Sequence, residues 1–420
     1  MCGILYISSQ KVGLSGFGIS FRIPAVFLLF INMENFLDLR QADLQGKTVV
    51  IRVDFNVPIK DGVVLETTRI DESISTIQYI IKQGAARLHI LSHCGRPKEI
   101  DSAFSLKPII PVLEKHLGTS IEFCEDFSVG TSSIQLHENV RFWPGETKND
   151  PEFVQELQKL GGEIFVNDGF AVSHRTHASV VGLTTSLPSY PGFLLQKEIE
   201  ELSPFISDEK ILGLTVVAGG GKISSKINIL KHFARTAEIV IVAGALSNNF
   251  FKVDGYQIGK TVYEPDQLDV VDEVRRIAAE NNTTLVFPID AVCGQNLNDP
   301  NGTVHSIQAI PEDLQIWDSG PESVKKIAEI CAHSKTVIWN GPLGVFENPA
   351  FANGTRDLLK ALEPLNKKSI QTVLGGGDTL DAIRRFEAQK ENFTHVSTGG
   401  GAMLEFLEGK ALPGIEALRK

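Results

Sequence analysis

At 420 residues, 42% hydrophobic and 22% charged, the chain is too long for one ordinary core and has the composition of a soluble globular protein, so two domains are expected. A formal net charge of −11 opposes general attraction to nucleic acid or to an anionic membrane surface, so an anionic substrate has to be drawn by local basic clefts. The five cysteines, Cys2, Cys94, Cys124, Cys293 and Cys331, form no CxxC pair, which argues against a disulfide framework or structural zinc and fits reduced thiols in a cytoplasm.

The first feature along the chain is the apolar run IPAVFLLFI (23–31), preceded by Lys11 and Arg22. It is too short to span a bilayer as a helix, and no small-residue cleavage pattern follows it. Residues 1–32 are therefore expected to be an upstream extension outside the fold, with Met33 as the natural start.

Apolar runs then alternate with helix-length periodic stretches, the pattern of a mostly parallel sheet with helices on both faces. In the first half the expected strands are VVIRVDF (49–55), ARLHILSH (86–93), SIEFC (120–124) and EIFVNDGF (163–170). In the second half they are ILGLTVVAG (211–219), EIVIVAG (238–244), TLVFPID (284–290), KTVIWNG (335–341), IQTVLGG (370–376) and THVSTGG (394–400). Near-continuous apolar character predicts strands buried on both faces. The boundary between halves falls near residues 202–210, where SPFISDE follows the helical LLQKEIEEL, and a connection this short suits a hinge.

Ligands of open α/β sheets bind beyond the carboxyl ends of the strands, so the residues closing each run are the candidates. In the first half these are Asp54 and Asn56, His93 and Arg96 in SHCGRP, Arg141 in ENVRFWPGE, and His174, Arg175 and His177 in SHRTH, with Arg69 nearby. An arginine fork pairs two carboxylate or phosphate oxygens at once. Any one of these side chains could be a solvated loop charge, but their recurrence at successive strand ends points to a hydroxylated, phosphorylated carboxylic acid.

The second half closes its strands with AGGGK (218–222), WNGPLGVFE (339–347), LGGGDT (374–379) and STGGGA (397–402). Glycine lets backbone N–H groups approach phosphate oxygens, and a following helix offers its positive end, so all four runs read as a nucleotide-phosphate cradle. It is not a Walker A loop, since Val216 and Ile223 occupy required positions, and no GxGxxG follows the first strand. Ile223, Ile227 and Leu230 predict a helix starting there, with Lys222 and Lys226 on one face of its first turns. Two like charges so placed repel unless a polyphosphate lies between them. Asp378 either caps the helix that follows or holds Mg²⁺, and Glu347 either caps locally or binds a ribose hydroxyl.

RVDFNVP, SHCGRP, ENVRFWPGE, NDGFAVSHRTHAS, WNGPLGVFE, GGGDT and STGGGA, in this order, resemble phosphoglycerate kinase from about Met33 to Lys420. The resemblance implies two Rossmann-like lobes joined by a hinge. An N-terminal phosphoglycerate-binding lobe would span 33–203, a C-terminal nucleotide-binding lobe 204–404, and a segment of about 405–420 would return to the first. It implies that Asp54, Phe55, Asn56, Arg69, His93, Cys94, Gly95, Arg96, Arg141 and Arg175 surround 3-phosphoglycerate or 1,3-bisphosphoglycerate. It also implies that Lys222, Lys226, Glu347, Gly376, Gly377, Asp378 and Thr379 hold ADP or ATP, with Mg²⁺ on Asp378. Arg69 and Lys226 are then the catalytic candidates, in a cytoplasmic enzyme expected to be monomeric. Three positions depart from the family pattern: Ser225 stands where many members carry Asp, Cys94 where Leu is usual, and AGAL (243–246) where a richer glycine run is common.

The implied reaction is reversible transfer of an acyl phosphate to ADP, and in reverse the attacking carboxylate is already ionised, so no general base is required. An NAD-dependent dehydrogenase shares doubly wound sheets, and a non-catalytic binding protein could share the fold. The intact motifs in both halves argue against the second, and the missing GxGxxG against the first.

Overall fold

A computed structural model describes residues 35–420. The expectations for residues 1–32 and for the apolar run at 23–31 lie outside them. The strands are β1 (Thr48–Arg52), β2 (Ile59–Lys60), β3 (Val63–Val64), β4 (Arg87–Leu91), β5 (Glu122–Cys124), β6 (Ile134–His137), β7 (Ile164–Asn167) and β8 (Ser189–Pro191), followed by β9 (Ile211–Ala218), β10 (Ala237–Val242), β11 (Thr284–Val286), β12 (Asp290–Gly294), β13 (Thr303–Ser306), β14 (Gln315–Ser319), β15 (Thr336–Asn340), β16 (Gln371–Gly375) and β17 (His395–Ser397). The helices are α1 (Thr68–Lys82), α2 (Ile110–Leu117), α3 (Pro144–Lys148), α4 (Pro151–Gln158), α5 (Phe193–Leu202), α6 (Ile227–Thr236), α7 (Leu246–Val253), α8 (Leu268–Glu280), α9 (Pro321–Ala332), α10 (Asn353–Leu362), α11 (Gly377–Arg385), α12 (Gly401–Leu407) and α13 (Pro413–Glu416).

Two six-stranded sheets carry the fold, ordered β5-β6-β4-β1-β7-β8 and β11-β10-β9-β15-β16-β17. Every pairing within them is parallel, so helices cover both faces and the central strands are buried throughout, as their apolar runs require. β1 and β15, each central in its sheet, have almost no exposed residue. The short β6 and β8 are not among the expected strands.

TLVFPID is not one strand. Pro288 cannot donate to a ladder, so β11 stops at Val286 and the chain enters a separate antiparallel sheet, β13-β12-β14. That small sheet is absent from the sequence reading, because its outer strands β13 and β14 are short, partly exposed and without a continuous apolar signal, and the buried β12 between them spans only five residues. No described helix is long and apolar enough to cross a membrane.

α5 joins the two sheets and is fixed at both ends. Asp168, just past β7, accepts from the N–H groups of Leu194 (2.9 Å) and Leu195 (3.3 Å), and Thr76 accepts from that of Phe193. Further along α5, the buried Glu198 accepts from His395 Nε2 (2.8 Å), where β17 begins, and from the N–H of Thr398 (2.9 Å), just after it ends. Leu195, Ile199 and Leu202 pack in one buried cluster with Phe233 of α6 and with Leu412, Ile415 and Leu418 of the last segment. That segment lies against the end of β7, where Gly414 donates to Ser173 O (2.8 Å) and accepts from Asn167 Nδ2 (3.2 Å).

Candidate active site

The carboxyl ends of β1, β4, β6 and β7 surround a cavity of about 780 Å³. Asp54, Asn56, Arg69, His93, Gly95, Arg96, Arg141 and Arg175 all line it, so all four expected arginines meet there. Backbone and side chain tie them into one frame. Arg69 pairs with Asp54 through Nη1, Asn56 Oδ1 accepts from the N–H of Gly95 (2.8 Å), and Arg141 Nη1 donates to Gly95 O (2.7 Å). The buried Arg141 Nε has no partner. Burial lowers the Arg141 pKa to about 10, which still leaves it cationic at neutral pH.

Two expected residues contribute no side chain to the wall. Phe55 is fully buried in the core beneath β1, where a large apolar ring removed from water stabilises by about 1.5–3 kcal/mol. Cys94 is buried too, its Sγ 3.7 Å from Val57 O, and burial raises its thiol pKa. The far wall brings a correction. Gly399, Gly400 and Gly401 of STGGGA, read from sequence as part of the nucleotide cradle, line this arginine cavity instead, because the pinning of β17 to α5 sets Gly399 against Phe170, just past β7.

A second cavity of about 360 Å³ opens at the ends of β9 and β15. Gly220, Gly221, Gly244, Ala245, Pro342 and Gly344 supply backbone, Phe251, Trp317 and Leu343 apolar surface, and Glu347 and Asp378 its rim. The AGAL departure therefore falls on its wall. A Cβ at Gly219 would lie 2.2 Å from Pro342 O, so only glycine lets these two loops touch.

The lysines differ from expectation. The helix begins at Ile227, not Ile223; Lys222 precedes a short 3-10 turn and Lys226 is the N-cap of α6. Lys222 is exposed. Lys226 Nζ is enclosed and donates to Gly219 O (2.6 Å), Asn340 O (2.8 Å) and Asn340 Oδ1 (2.5 Å). Burial lowers its pKa to about 8, opposed by Asp378. Lys226 thus stitches the first glycine loop to the β15 loop. Ser225 turns its hydroxyl onto Lys222 O.

Asp378 is not an N-cap. That position belongs to Gly376, whose φ of 104° is open to glycine alone, and Asp378 stands in the first turn of α11. Its carboxylate is exposed and accepts no hydrogen bond from the described residues. No cluster of three or more His, Cys, Asp or Glu among the described residues is placed to hold a metal. A single exposed carboxylate beside glycine-rich loops can hold Mg²⁺ where phosphates and water complete its shell. Thr379 is buried, its hydroxyl accepting from the N–H of Gly341 (2.8 Å), and Glu347 is exposed at the rim.

A third cavity of about 500 Å³ shares Asn56 and Arg69 with the arginine cavity and reaches Gly377, Leu380, Arg384 and Lys390 on the other side. Glu72 of α1 and Lys390 approach across this cleft at 3.6 Å.

Four supporting residues escaped the sequence reading. Asn139 ties the SHCGRP loop to the Arg141 loop, its Nδ2 donating to Cys94 O (2.7 Å) and its Oδ1 accepting from the N–H of Arg141 (3.1 Å). Asn340 receives Lys226 and donates to Gly375 O (2.9 Å). Arg52 and Glu146 are fully buried behind the arginine cavity. A charged residue inside an otherwise apolar strand was the available signal for Arg52.

Comparison with known proteins gives one family. The phosphoglycerate kinase family model matches residues 39–410. A phosphoglycerate kinase of Fervidobacterium nodosum is 41% identical over 397 residues, covering 91% of this chain and 98% of the relative. A cytosolic phosphoglycerate kinase of Arabidopsis thaliana is 38% identical over 394 residues, covering 90% of this chain and 97% of the relative. The solved phosphoglycerate kinase of Coxiella burnetii superposes with a TM-score of 0.80 at 38% identity, covering 91% of this chain and 98% of that one.

Proposed function

Since the chain belongs to the phosphoglycerate kinase family and is thus a kinase transferring a phosphoryl group between ATP and 3-phosphoglycerate, we propose that the arginine cavity takes the phosphoglycerate and the glycine cavity the magnesium nucleotide. The observation that carries this assignment is the segregation of chemistry: Arg69, Arg96, Arg141 and Arg175 converge on one cavity, while backbone glycines, an apolar slot and the carboxylates of Glu347 and Asp378 frame the other. The matching lobes are 33–203 and 204–404, with the last residues returning to the first.

Phosphoglycerate's phosphate suits the guanidinium forks, each charge-assisted bond contributing about 1.5–3 kcal/mol. Its hydroxyl suits Asp54 and Asn56. With 3-phosphoglycerate as acceptor, its carboxylate attacks the γ-phosphorus of ATP as the bond to ADP breaks; the reverse transfer regenerates ATP. No proton has to move, so the side chains bind, orient and neutralise. Arg69 approaches the transferring group from the first lobe, partly balanced by Asp54. On the second lobe the exposed ammonium of Lys222, with Glu264 as its neighbour, would take that duty, while Lys226 holds the loops whose amides would face the phosphates. Asp378 would hold Mg²⁺, which supplies further charge neutralisation when bound.

Reduced buried cysteines at 94, 124, 293 and 331 and the cytosolic plant relative support a cytoplasmic setting. The test is ADP formation from ATP, Mg²⁺ and 3-phosphoglycerate with the product removed by a coupled reaction. Turnover should need both substrates and vanish with EDTA; turnover that persists in EDTA would remove Asp378's proposed role.

A further inference from the structure

His93 lines the arginine cavity, yet what lies behind it decides what it can do there. Arg52, fully buried at the end of β1 and absent from the cavity wall, places Nη2 3.2 Å from His93 Nδ1. Its Nε donates to Ser179 Oγ (2.8 Å) and its Nη1 to Val53 O. Ser179 in turn donates to the fully buried Glu146, through Oγ to Oε1 (2.7 Å) and through its N–H to Oε2 (2.9 Å). Every polar atom of the Arg52 fork is thus committed, and the compensating carboxylate lies one hydroxyl away.

A guanidinium has donors only and does not lose its proton in a protein. The atom facing Nη2 must therefore present a lone pair, which leaves the ring proton of His93 on Nε2. We propose that Arg52, held by Glu146 through Ser179, is a positioning residue that locks His93 as the neutral Nε2–H tautomer, making it a fixed hydrogen-bond donor to the bound phosphoglycerate, neither a base nor a fifth cation. Asp54 Oδ1, 3.7 Å from the same Nδ1, is then a neighbour without an ion pair. The other charged or titratable groups around the ring, Arg69, Arg141 and His177, favour the neutral form as well, and burial, ahead of all of them, holds the His93 pKa well below its ordinary value. His177 Nδ1 lies 3.5 Å from Glu146 Oε1 and, like Arg52, favours the ionised form of that carboxylate.

The purpose follows from the ligand. Four arginines already supply the charge that an acid ester needs, and a neutral donor of fixed direction adds orientation without a pH-dependent charge. This role rests on the assignment of the cavity to phosphoglycerate, and the test separates the two.

Full-length protein labelled with [¹⁵N]histidine is used, the His93 signals being those lost in His93→Asn. Two-bond nitrogen–proton correlations should show Nδ1 unprotonated and Nε2 protonated, unchanged from mildly acidic to mildly alkaline pH. Adding 3-phosphoglycerate should move the Nε2–H signal and leave the tautomer intact. An Nδ1–H tautomer, or titration near neutrality, overturns the proposal at the Arg52–His93 contact. The expected tautomer with no response to 3-phosphoglycerate overturns it at the cavity assignment.

Arg52→Met combined with Glu146→Gln removes both buried charges together and so strands neither. It should give His93 mixed tautomers and raise KM for 3-phosphoglycerate about tenfold, with kcat and KM for ATP changed by less than about twofold. An unchanged KM for 3-phosphoglycerate in the folded double variant overturns the positioning role. If the variant does not fold, the spectra of the parent protein decide.

Discussion

Lys226 and Lys222 separate two ways in which a lysine can serve a phosphate site. Lys226 spends its three donors on Gly219 and Asn340, so Lys226→Ala leaves Gly219 O and Asn340 Oδ1 unpaired, while Asn340 O keeps the N–H of Gly219, at about 1–3 kcal/mol for each unpaired oxygen where no water reaches it. It is expected to lower Tm measurably and cut kcat by at least about a hundredfold, while KM for nucleotide changes less than about fivefold. Lys222→Ala, at an exposed position, should reduce kcat with Tm unchanged. Thermal melts beside steady-state kinetics distinguish them, and a Lys226→Ala protein with parental Tm and kcat would contradict the stitching role. On the opposite wall, Arg175 is exposed and lines the arginine cavity, so Arg175→Ala should raise KM for 3-phosphoglycerate about tenfold or more and spare KM for ATP. The cavity-lining arginines were legible because charge at a strand end is rare enough to count. Asn139, Asn340 and Glu146 were not, since a neutral or paired polar residue in a loop looks the same whether it faces solvent or fastens two loops together.

Among the elements, α5 carries the most unusual electrostatics. Asp168 caps its first turn from a fully buried position, with Oδ2 unpartnered, and burial pushes its pKa from 3.8 up to about 7. The folded state therefore binds a proton that the unfolded state has lost. Across the window from about pH 4 to about pH 7 this group's contribution is largest at the acid end and falls away as pH rises through its folded pKa, at up to roughly 1.4 kcal/mol per unit. Asp168→Asn keeps an oxygen for Leu194 and Leu195 and removes the titration. Denaturant unfolding of parent and variant across that window should show a shallower pH slope in the variant, and parallel slopes would show that Asp168 is ionised in the fold. Helix α5 itself was readable from LLQKEIEEL, whereas its cap was hidden: Asp168 sits inside what reads as one strand, EIFVNDGF, and the fact that the strand stops at Asn167 is settled by pairing with β1 and β8. The same limitation explains TLVFPID, where a proline inside an apolar run signals a change of sheet only once the partners are known.

At the scale of the whole molecule, the proposed assignment of the two cavities makes the cleft between the sheets the expected control on turnover. The arginine and glycine cavities do not merge in this structure. Asn56 and Arg69 border both the arginine cavity and the intervening space of about 500 Å³, whose far side is formed by Gly377, Leu380, Arg384, Gln389 and Lys390. In-line transfer needs reacting atoms about 3–3.5 Å apart, so with the proposed assignment of the two cavities this space is expected to shrink when both substrates are bound, α5 being the expected hinge. The Glu72–Lys390 pair at 3.6 Å is partly exposed on both sides and contributes little to holding the lobes in place. Filling the space should therefore act on closure and leave each cavity intact. Gln389→Trp places an indole on the second-lobe wall of this space, at an exposed residue that is itself assigned to neither substrate. It is expected to lower kcat about tenfold or more while KM for ATP and for 3-phosphoglycerate change by less than about threefold, because binding to separate open cavities precedes the blocked motion. Small-angle scattering should show the parent contracting when both substrates are present and the variant contracting less. A variant that contracts fully and still turns over slowly would place the limiting step in the chemistry, whereas parental kcat would mean that the lobes meet without closing this space.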